Sequence, residues 1–284
     1  MNRLEIFNPF MAPVYHEETV TSTIDISRCL ASEGMPHGTV IVADYQEAGR
    51  GRGRSRLWEM ESTKSLSFTI LLRYPSMEKI PTAFTLRAGL ASAYAIEDFS
   101  SLQNVMIKWP NDIMIGAKKT AGILCEADGG NVHLGIGINM AQTDFPAHLR
   151  EKATSLALAI EKDIPAEDRF VLLEKTLNRL FDELENGKDW NLRLKQKLYG
   201  KDKQVVFIEG FAASCSAASC SAACCTATSC SSTTCSDDSG TGDDEVSHNK
   251  IVGKLAGIGA GGELLILPDG EKTVREFTVG ELII

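Results

Sequence analysis

The sequence predicts an α+β fold in which a mixed or antiparallel sheet is flanked by helices. Apolar runs of strand length follow one another closely along the chain, and only a few amphipathic segments interrupt them. This close succession of strands, covered by a small number of helices, is typical of an α+β domain. The strands of this sheet are predicted at 39–45, 65–72, 105–109, 113–115, 120–126 and 132–140.

Four segments carry helix signals. Ser22 and Thr23 are typical of a helix start, Asp25 lies in the first turn, and Gly34 ends the segment. A longer helix is predicted from Pro81 to about Asp98, because its apolar residues recur on one face. Two further helices, expected to cover the sheet, are predicted at 165–186 and 189–199.

The chain changes character after residue 200. Short strands separated by turns are predicted at 204–208, 251–255, 264–267 and 274–277, which suits a small β-barrel. We therefore predict two domains, at 1–199 and 200–284. Residues 257–262 satisfy G-x-G-x-x-G, but a strand follows them where a dinucleotide site needs a helix, so a hairpin turn is predicted. No G-x-x-x-x-G-K-[ST] sequence is present either.

Residues 212–249 interrupt this second domain with a low-complexity insertion. The insertion is rich in Ala, Ser, Cys and Thr and has almost no large apolar residue to bury, so disorder is expected. It holds six of the eight cysteines, without paired C-x-x-C spacing. Neither a disulfide framework nor a structural metal is therefore predicted.

Composition limits the function classes. The chain has 284 residues, of which 43% are apolar and 24% charged, as in ordinary globular proteins. No run of apolar residues is long enough for a membrane span, and the N-terminus lacks the apolar core of a signal peptide, so a cytoplasmic protein is expected. A net charge of −9 argues against nucleic acid as a partner.

One loop departs from that acidic background. Residues 46–58, directly after the strand at 39–45, alternate three glycines with four arginines. Glycine leaves the backbone free to turn, and each arginine offers a fixed charge and a planar set of donors for carboxylate or phosphate oxygens. The pattern predicts a mobile loop that closes over an anion, although a solvated basic loop has the same composition.

Three further motifs follow this loop in order. They are Lys-Trp-Pro-Asn-Asp at 108–112, Lys-Lys-Thr-Ala-Gly-Ile-Leu-Cys-Glu at 118–126 and Gly-Ile-Gly-Ile-Asn-Met at 135–140. With the Gly/Arg loop, they make the chain resemble the biotin protein ligase family over residues 14–145. The resemblance implies a class II synthetase-like catalytic domain with a small C-terminal SH3-like β-barrel. The C-terminal strands fit it, but residues 212–249 have no counterpart in it.

The resemblance also implies an activity. It is the ATP-dependent conversion of biotin into biotinyl-5′-AMP, followed by transfer of the biotinyl group to a lysine of a biotin carboxyl carrier protein domain. Mg²⁺ would neutralise the β- and γ-phosphates of ATP. Because the adenylate is already an activated anhydride, no covalent nucleophile is required, and Cys125 is interpreted as a strand core residue. The short stretch before Ser22 leaves no room for the DNA-binding domain that some members carry, so a short form is expected.

The resemblance also implies which residues of these motifs form the site. Lys119, Arg52 and Asp112 would be catalytic, with Asp112 orienting the incoming lysine. Biotin would be bound by residues of the helix start, of the Gly/Arg loop and of the motif at 118–126: Ser22, Thr23, Gln46, Gly49, Arg50, Gly51, Arg52, Lys119 and Gly122. Nucleotide would be bound by Arg52, Trp58, Asn111, Lys119 and Asn139.

Several alternatives stay open. A lipoate or octanoate ligase would use the same acyl-transfer chemistry, and a non-catalytic biotin-binding regulator would have the same binding residues. Trp58 could equally be a core residue, and Asn111 and Asn139 could serve a turn or a buried backbone group. Ile24 stands where many members have Asn, which leaves a polar contact to the head group open. The loop is one residue longer than usual, so the assignment of Arg54 versus Arg56 to the phosphates also stays open. A homodimer is compatible with the sequence.

Overall fold

The computed structural model describes residues 1–53, 57–59, 61–210 and 249–284. Within these ranges the chain forms two β-sheets and five α-helices. The strands of the larger sheet are β1 Asn2–Leu4, β2 Val14–Val20, β3 Thr39–Gln46, β4 Ser65–Arg73, β5 Val105–Lys108, β6 Asp112–Ile115, β7 Lys118–Asp128 and β8 Asn131–Asn139. The strands of the smaller sheet are β9 Gln204–Glu209, β10 Lys250–Ile258, β11 Leu264–Pro268, β12 Arg275–Phe277 and β13 Gly280–Ile283. The helices are α1 Thr23–Ser32, α2 Phe84–Ser100, α3 Leu156–Ile160, α4 Asp168–Asn186 and α5 Trp190–Lys197, with a short 3-10 turn at Met77–Lys79.

The larger sheet is mixed, as predicted. Its strand order is β1-β2-β3-β4-β8-β7-β6-β5, and β2 pairs with β3 in parallel while the other neighbours pair antiparallel. Alternate side chains of β4 point to opposite faces. Thr69 is hydrogen-bonded to Thr23 of α1, whereas Phe68 and Ile70 join the apolar core that α2 and α4 complete. Both faces are covered, so every β4 residue from Ser65 to Leu72 is buried, including the polar ones.

The smaller sheet is antiparallel throughout, in the order β12-β11-β10-β9-β13. The turn between β10 and β11 holds the G-x-G-x-x-G sequence, and the amide of Gly259 donates to the carbonyl of Glu263 at 2.8 Å. The predicted hairpin is therefore confirmed. This sheet contacts the first through Trp109, which is 3% exposed, donates its indole N–H to the carbonyl of Gly262 at 3.1 Å and packs on Phe207.

Some elements differ from the prediction. Helix α2 begins at Phe84 instead of Pro81, because Ala83 adopts the left-handed conformation and the regular helix starts only after it. Strands β1, β2 and β13 and helix α3 lack a strong period and were not predicted. The expected disorder of 212–249 concerns residues that, except for Asn249, lie outside the described ranges. No helix among the described residues combines the length and apolar character that a membrane crossing requires.

Candidate functional site

A cavity of about 320 Å³ opens between the start of α1, the end of β3 and strands β6 to β8. Its size is that of a small-molecule site. Eleven of the thirteen predicted site residues line it, although they come from separate motifs: Ser22, Thr23, Gln46, Arg50, Gly51, Arg52, Trp58, Asn111, Asp112, Lys119 and Gly122. The fold thus brings the four motifs to one place.

One end of the cavity is a buried, neutral wall, here called the polar wall (Ser22, Thr23 and Gln46). The side-chain oxygen of Gln46 accepts hydrogen bonds from the backbone amide of Thr23 at 2.8 Å and from its hydroxyl at 3.1 Å. The hydroxyl of Thr69 donates to that of Thr23 at 2.8 Å, from behind the wall. Because these groups are buried and bonded to one another, the wall is rigid and its orientation is fixed.

The other end is charged. The Lys119 amine lies 2.6 Å from a carboxylate oxygen of Asp112, and both side chains are about one-third exposed or less, at 34% and 26%. A register shift between β6 and β7 lies next to this pair, after Ile113 pairs with Ala121 and before Met114 pairs with Lys119. Such bulges redirect a side chain at the edge of a site. Asp112 and Lys119 therefore face each other across neighbouring strands.

The loop over this charged end is called the strap, defined as residues 50–57, of which 54–56 are not described. Its base is closed by a hydrogen bond of 2.9 Å from the amide of Trp58 to the carbonyl of Gly49. Arg50 is paired with Asp25 at 2.7 Å and lies 3.7 Å from Glu126. Arg52 donates to the carbonyl of Gly280 in β13 at 2.7 Å. The guanidinium groups of Arg50 and Arg52 are thus each held by a partner outside the strap.

Two predicted residues do not line the cavity. Gly49 closes the base of the strap, and a side chain there would come within 2.7 Å of the Trp58 carbonyl. Asn139 is 5% exposed, and its side-chain amide donates to the backbone carbonyl of Thr154 at 3.1 Å. This contact matches the alternative in which Asn139 bonds a buried backbone group. Asn111 does line the cavity, while its amide is bound to the carbonyl of Ile123 at 2.8 Å. Arg54 and Arg56 lie outside the described residues.

Several cavity residues were missed by the sequence. For Phe68 the sequence predicts only a position in a strand, and Glu59, His148 and Leu149 belong to no motif. The His148 ring lies 3.0 Å from a Glu59 carboxylate oxygen across the cavity mouth. The segment 146–153 reaches the cavity because its far end pairs with β7: the amide of Lys119 donates to the carbonyl of Lys152 at 2.8 Å. Only the fold could reveal this contact.

Ile24 and Cys125 behave as apolar residues. Ile24, which stands where an Asn was expected, is 4% exposed, and its side chain packs over Gly135. Burial raises the pKa of Cys125 to about 12, with a smaller contribution from the charge of Glu126. A thiol with that pKa is not a nucleophile at neutral pH, so its interpretation as a core residue fits. Among the described residues, no group of three His, Cys, Asp or Glu side chains could hold a metal ion.

A cavity with a neutral donor–acceptor wall at one end and fixed cations at the other suits an organic acid with a polar head. Residues 17–142 match the model of the biotin/lipoate A/B protein ligase family. This stretch of the chain is therefore similar to that family.

The similar proteins are biotin ligases. The chain is 40% identical over 159 residues to the bifunctional ligase/repressor BirA of Bacillus subtilis, covering 53% of this chain and 48% of that protein. It is 30% identical over 171 residues to the biotin–[acetyl-CoA-carboxylase] ligase of Mycobacterium tuberculosis, covering 59% and 60%. The matched region thus spans about half to three-fifths of these relatives. The structure of the Aquifex aeolicus biotin protein ligase in complex with biotin and ATP superposes with a TM-score of 0.69, 25% identity and coverage of 95% and 97%.

Proposed function

We propose that the protein is an ATP-dependent ligase that activates biotin as biotinyl-5′-AMP and transfers the biotinyl group to a lysine of a biotin carboxyl carrier protein domain. The observation that carries this proposal is that Lys119, Arg50 and Arg52 line the same cavity as the buried polar wall. The proposal is further supported by the family match and by the biotin and ATP bound to the similar Aquifex aeolicus enzyme.

In the first step, a carboxylate oxygen of biotin attacks the α-phosphorus of ATP and pyrophosphate leaves. Two anions must approach each other, so fixed positive charge lowers the barrier. Lys119 would hold the carboxylate and then the bridging oxygen of the adenylate, and Arg52 would contact the phosphates. Arg52 now donates to the Gly280 carbonyl, which is a neutral acceptor and a weaker partner than a phosphate.

The polar wall would bind the ureido head of biotin. A urea group offers both donors and a carbonyl acceptor, and the wall offers hydroxyl and amide groups already fixed by their own bonds. The apolar end of lipoate or octanoate offers no hydrogen-bonding group to this polar wall, which disfavours those acids. Gly51, Gly122 and Arg50 would complete the biotin site, while Trp58 and Asn111 would face the nucleotide.

In the second step, the lysine amine of the carrier attacks the acyl carbon, loses a proton, and AMP leaves. Asp112 is paired with Lys119 in this structure. Once the Lys119 amine binds the adenylate in place of Asp112, the Asp112 carboxylate can orient the incoming amine. The cavity offers few oxygen ligands, so Mg²⁺ would be held mainly by the phosphates of ATP, as is usual for nucleotide sites.

The test is transfer of labelled biotin to a purified carrier domain in the presence of ATP, with pyrophosphate release measured in parallel. Transfer that requires ATP and the acceptor lysine is expected. Biotin binding without pyrophosphate release would indicate a non-catalytic binding protein. A thermal-shift comparison in which lipoate stabilises the protein more than biotin would favour a lipoate ligase.

A further inference from the structure

The side chain of Ile24 lies where the polar wall ends. Ile24 directly follows Thr23 at the start of α1, lines the cavity and is 4% exposed. A side-chain carbon added at Gly135 of β8 would lie 3.1 Å from the end of the Ile24 side chain, so Ile24 packs on the bare backbone of that glycine. The polar Asn expected at this position is thus replaced by an apolar surface inside the cavity.

The sheet register places this contact beside the polar wall. Thr69 of β4, whose hydroxyl donates to that of Thr23, is the direct partner of Gly135 in β8. Thr23 and Ile24 therefore lie side by side over neighbouring strands, with Thr23 over Thr69 and Ile24 over Gly135. The cavity lining changes from hydrogen-bonding to apolar within one residue of α1.

The next position along β8 leads towards the charged end. Gly137 faces the same side of the strand two residues further on, and a side-chain carbon there would lie 2.5 Å from the Trp58 ring. Gly122 is the direct partner of Gly137 in β7, and a side-chain carbon at Gly122 would lie 3.1 Å from the Lys119 amine. The sheet therefore presents, in order, the polar wall, the Ile24 side chain, the Trp58 ring and the Lys119 amine.

Biotin carries its groups in a matching order: the ureido ring, the sulfur-bearing ring fused to it, and a chain that ends in the carboxylate. We propose that Ile24 is a specificity-determining residue, whose side chain packs on the sulfur-bearing ring and disfavours ligands with a polar group at the sulfur. This inference rests on the proposed function, because it takes biotin as the ligand. A thioether is a weak acceptor that packs well on apolar side chains. A sulfoxide oxygen is a strong acceptor and would be buried against Ile24 without a donor.

The experiment measures the Kd of biotin and of biotin sulfoxide by calorimetry, without ATP, for wild type, Ile24→Val and Ile24→Asn. Valine keeps the position apolar and is the matched control, whereas asparagine adds an amide that can donate to the sulfoxide oxygen. We expect wild type and Ile24→Val to bind the sulfoxide about tenfold more weakly than biotin, or worse, because a buried acceptor is left unpaired. In Ile24→Asn the ratio of the two Kd values should fall about fivefold or more. Far-ultraviolet circular dichroism checks that each variant is folded.

The same ratio of Kd values in Ile24→Val and Ile24→Asn would overturn the role of Ile24, as would a wild type that binds both ligands equally well. If Ile24→Asn does not fold, Ile24→Thr decides, because threonine has nearly the shape of valine and differs by a hydroxyl donor. A lower ratio in Ile24→Thr than in Ile24→Val supports the inference, and equal ratios overturn it. Wild type that binds biotin but does not transfer it would count against the ligase function and leave these ratios interpretable. Wild type that does not bind biotin would overturn both.

Discussion

The two ends of the cavity are built in different ways. At the polar wall, the side chains of Thr23 and Gln46 are buried, uncharged and bonded to each other. At the charged end, Lys119 and Arg50 are roughly one-third exposed and each has a single close carboxylate partner. Half-exposed ion pairs contribute little to stability and exchange partners readily. The comparison indicates that the polar wall is fixed before a ligand arrives, whereas the charged end can release its present partners to an incoming anion.

This difference assigns separate tasks to the two ends. A buried network selects by shape and hydrogen bonding, because a ligand lacking the right groups leaves polar atoms unpaired. Positive charge held at the reacting atoms acts on charge that develops during the reaction. We therefore expect changes at the charged end to affect turnover and changes at the polar wall to affect biotin binding.

The largest effect is expected for Lys119→Ala. Removing a group that stabilises developing charge lowers kcat by about 10² to 10³-fold. Lys118→Ala is the matched control, because the neighbouring amine is directed to the carbonyl of Arg150 and does not line the cavity. Steady-state transfer of biotin measures both variants. Comparable losses of kcat in Lys119→Ala and Lys118→Ala would contradict the assignment of turnover to the charged end of the cavity.

Arg52→Ala is expected to leave biotin binding partly intact and to release free adenylate about tenfold faster, since a hydrogen bond to a charged group contributes about 1.5–3 kcal/mol. Water then reaches the mixed anhydride. Chromatography of biotinyl-5′-AMP in the absence of carrier measures the release. Arg52→Lys keeps the charge and is the control. Release no faster than in wild type would show that Arg52 does not retain the intermediate.

Thr23→Val is expected to raise the KM for biotin about fivefold to tenfold, because an unpaired buried polar group costs about 1–3 kcal/mol. The change removes the hydroxyl that bonds both Gln46 and Thr69. With the charged end intact, kcat should stay near its wild-type value. Thr19→Val, at an exposed position of β2, is the control. A loss in kcat without a change in KM would remove the distinction between the two ends.

The smallest expected effect is on the pH dependence of folding stability, through His133. His133 lies behind the polar wall, fully buried, with its ring bonded to Ser27 one turn after Thr23. Burial lowers the pKa of His133 from its usual value of 6.5, and the nearby Asp128 only partly offsets this. The unfolded chain then takes up the proton more readily, so stability is fully present above pH 6.5 and declines as the pH falls towards the folded-state pKa.

Thermal unfolding between pH 5 and 7.5 measures this decline, which should be smaller in His133→Gln. The pH dependence of wild type and variant would be identical if the ring were not held neutral by its surroundings.

The sequence predicted a mixed or antiparallel sheet and eleven of the residues that line the cavity, because both depend on local patterns. The strand periods located β3, β4, β7 and β8, and the ordered motifs located Lys119 and the strap. The pairing of Asp112 with Lys119 could not be predicted, since it depends on a register shift between two strands. His148 was missed for a related reason: its segment is brought to the cavity by backbone bonds to β7, which leave no trace in its own composition.

Asn139 illustrates the opposite case. Its motif placed it at the nucleotide, yet its amide is used to hold the backbone of Thr154. A motif residue next to a site can be required for the loop that surrounds the ligand without touching the ligand itself.

The hydrogen bond from Arg52 to Gly280 joins residues separated by more than two hundred positions. Trp109 forms a second such link to Gly262. A protein engineer who shortened the chain at residue 199 would delete both acceptors. Shortened versions made for tagging or crystallisation should therefore keep the last eighty residues, even though none of those that the structure describes lines the cavity.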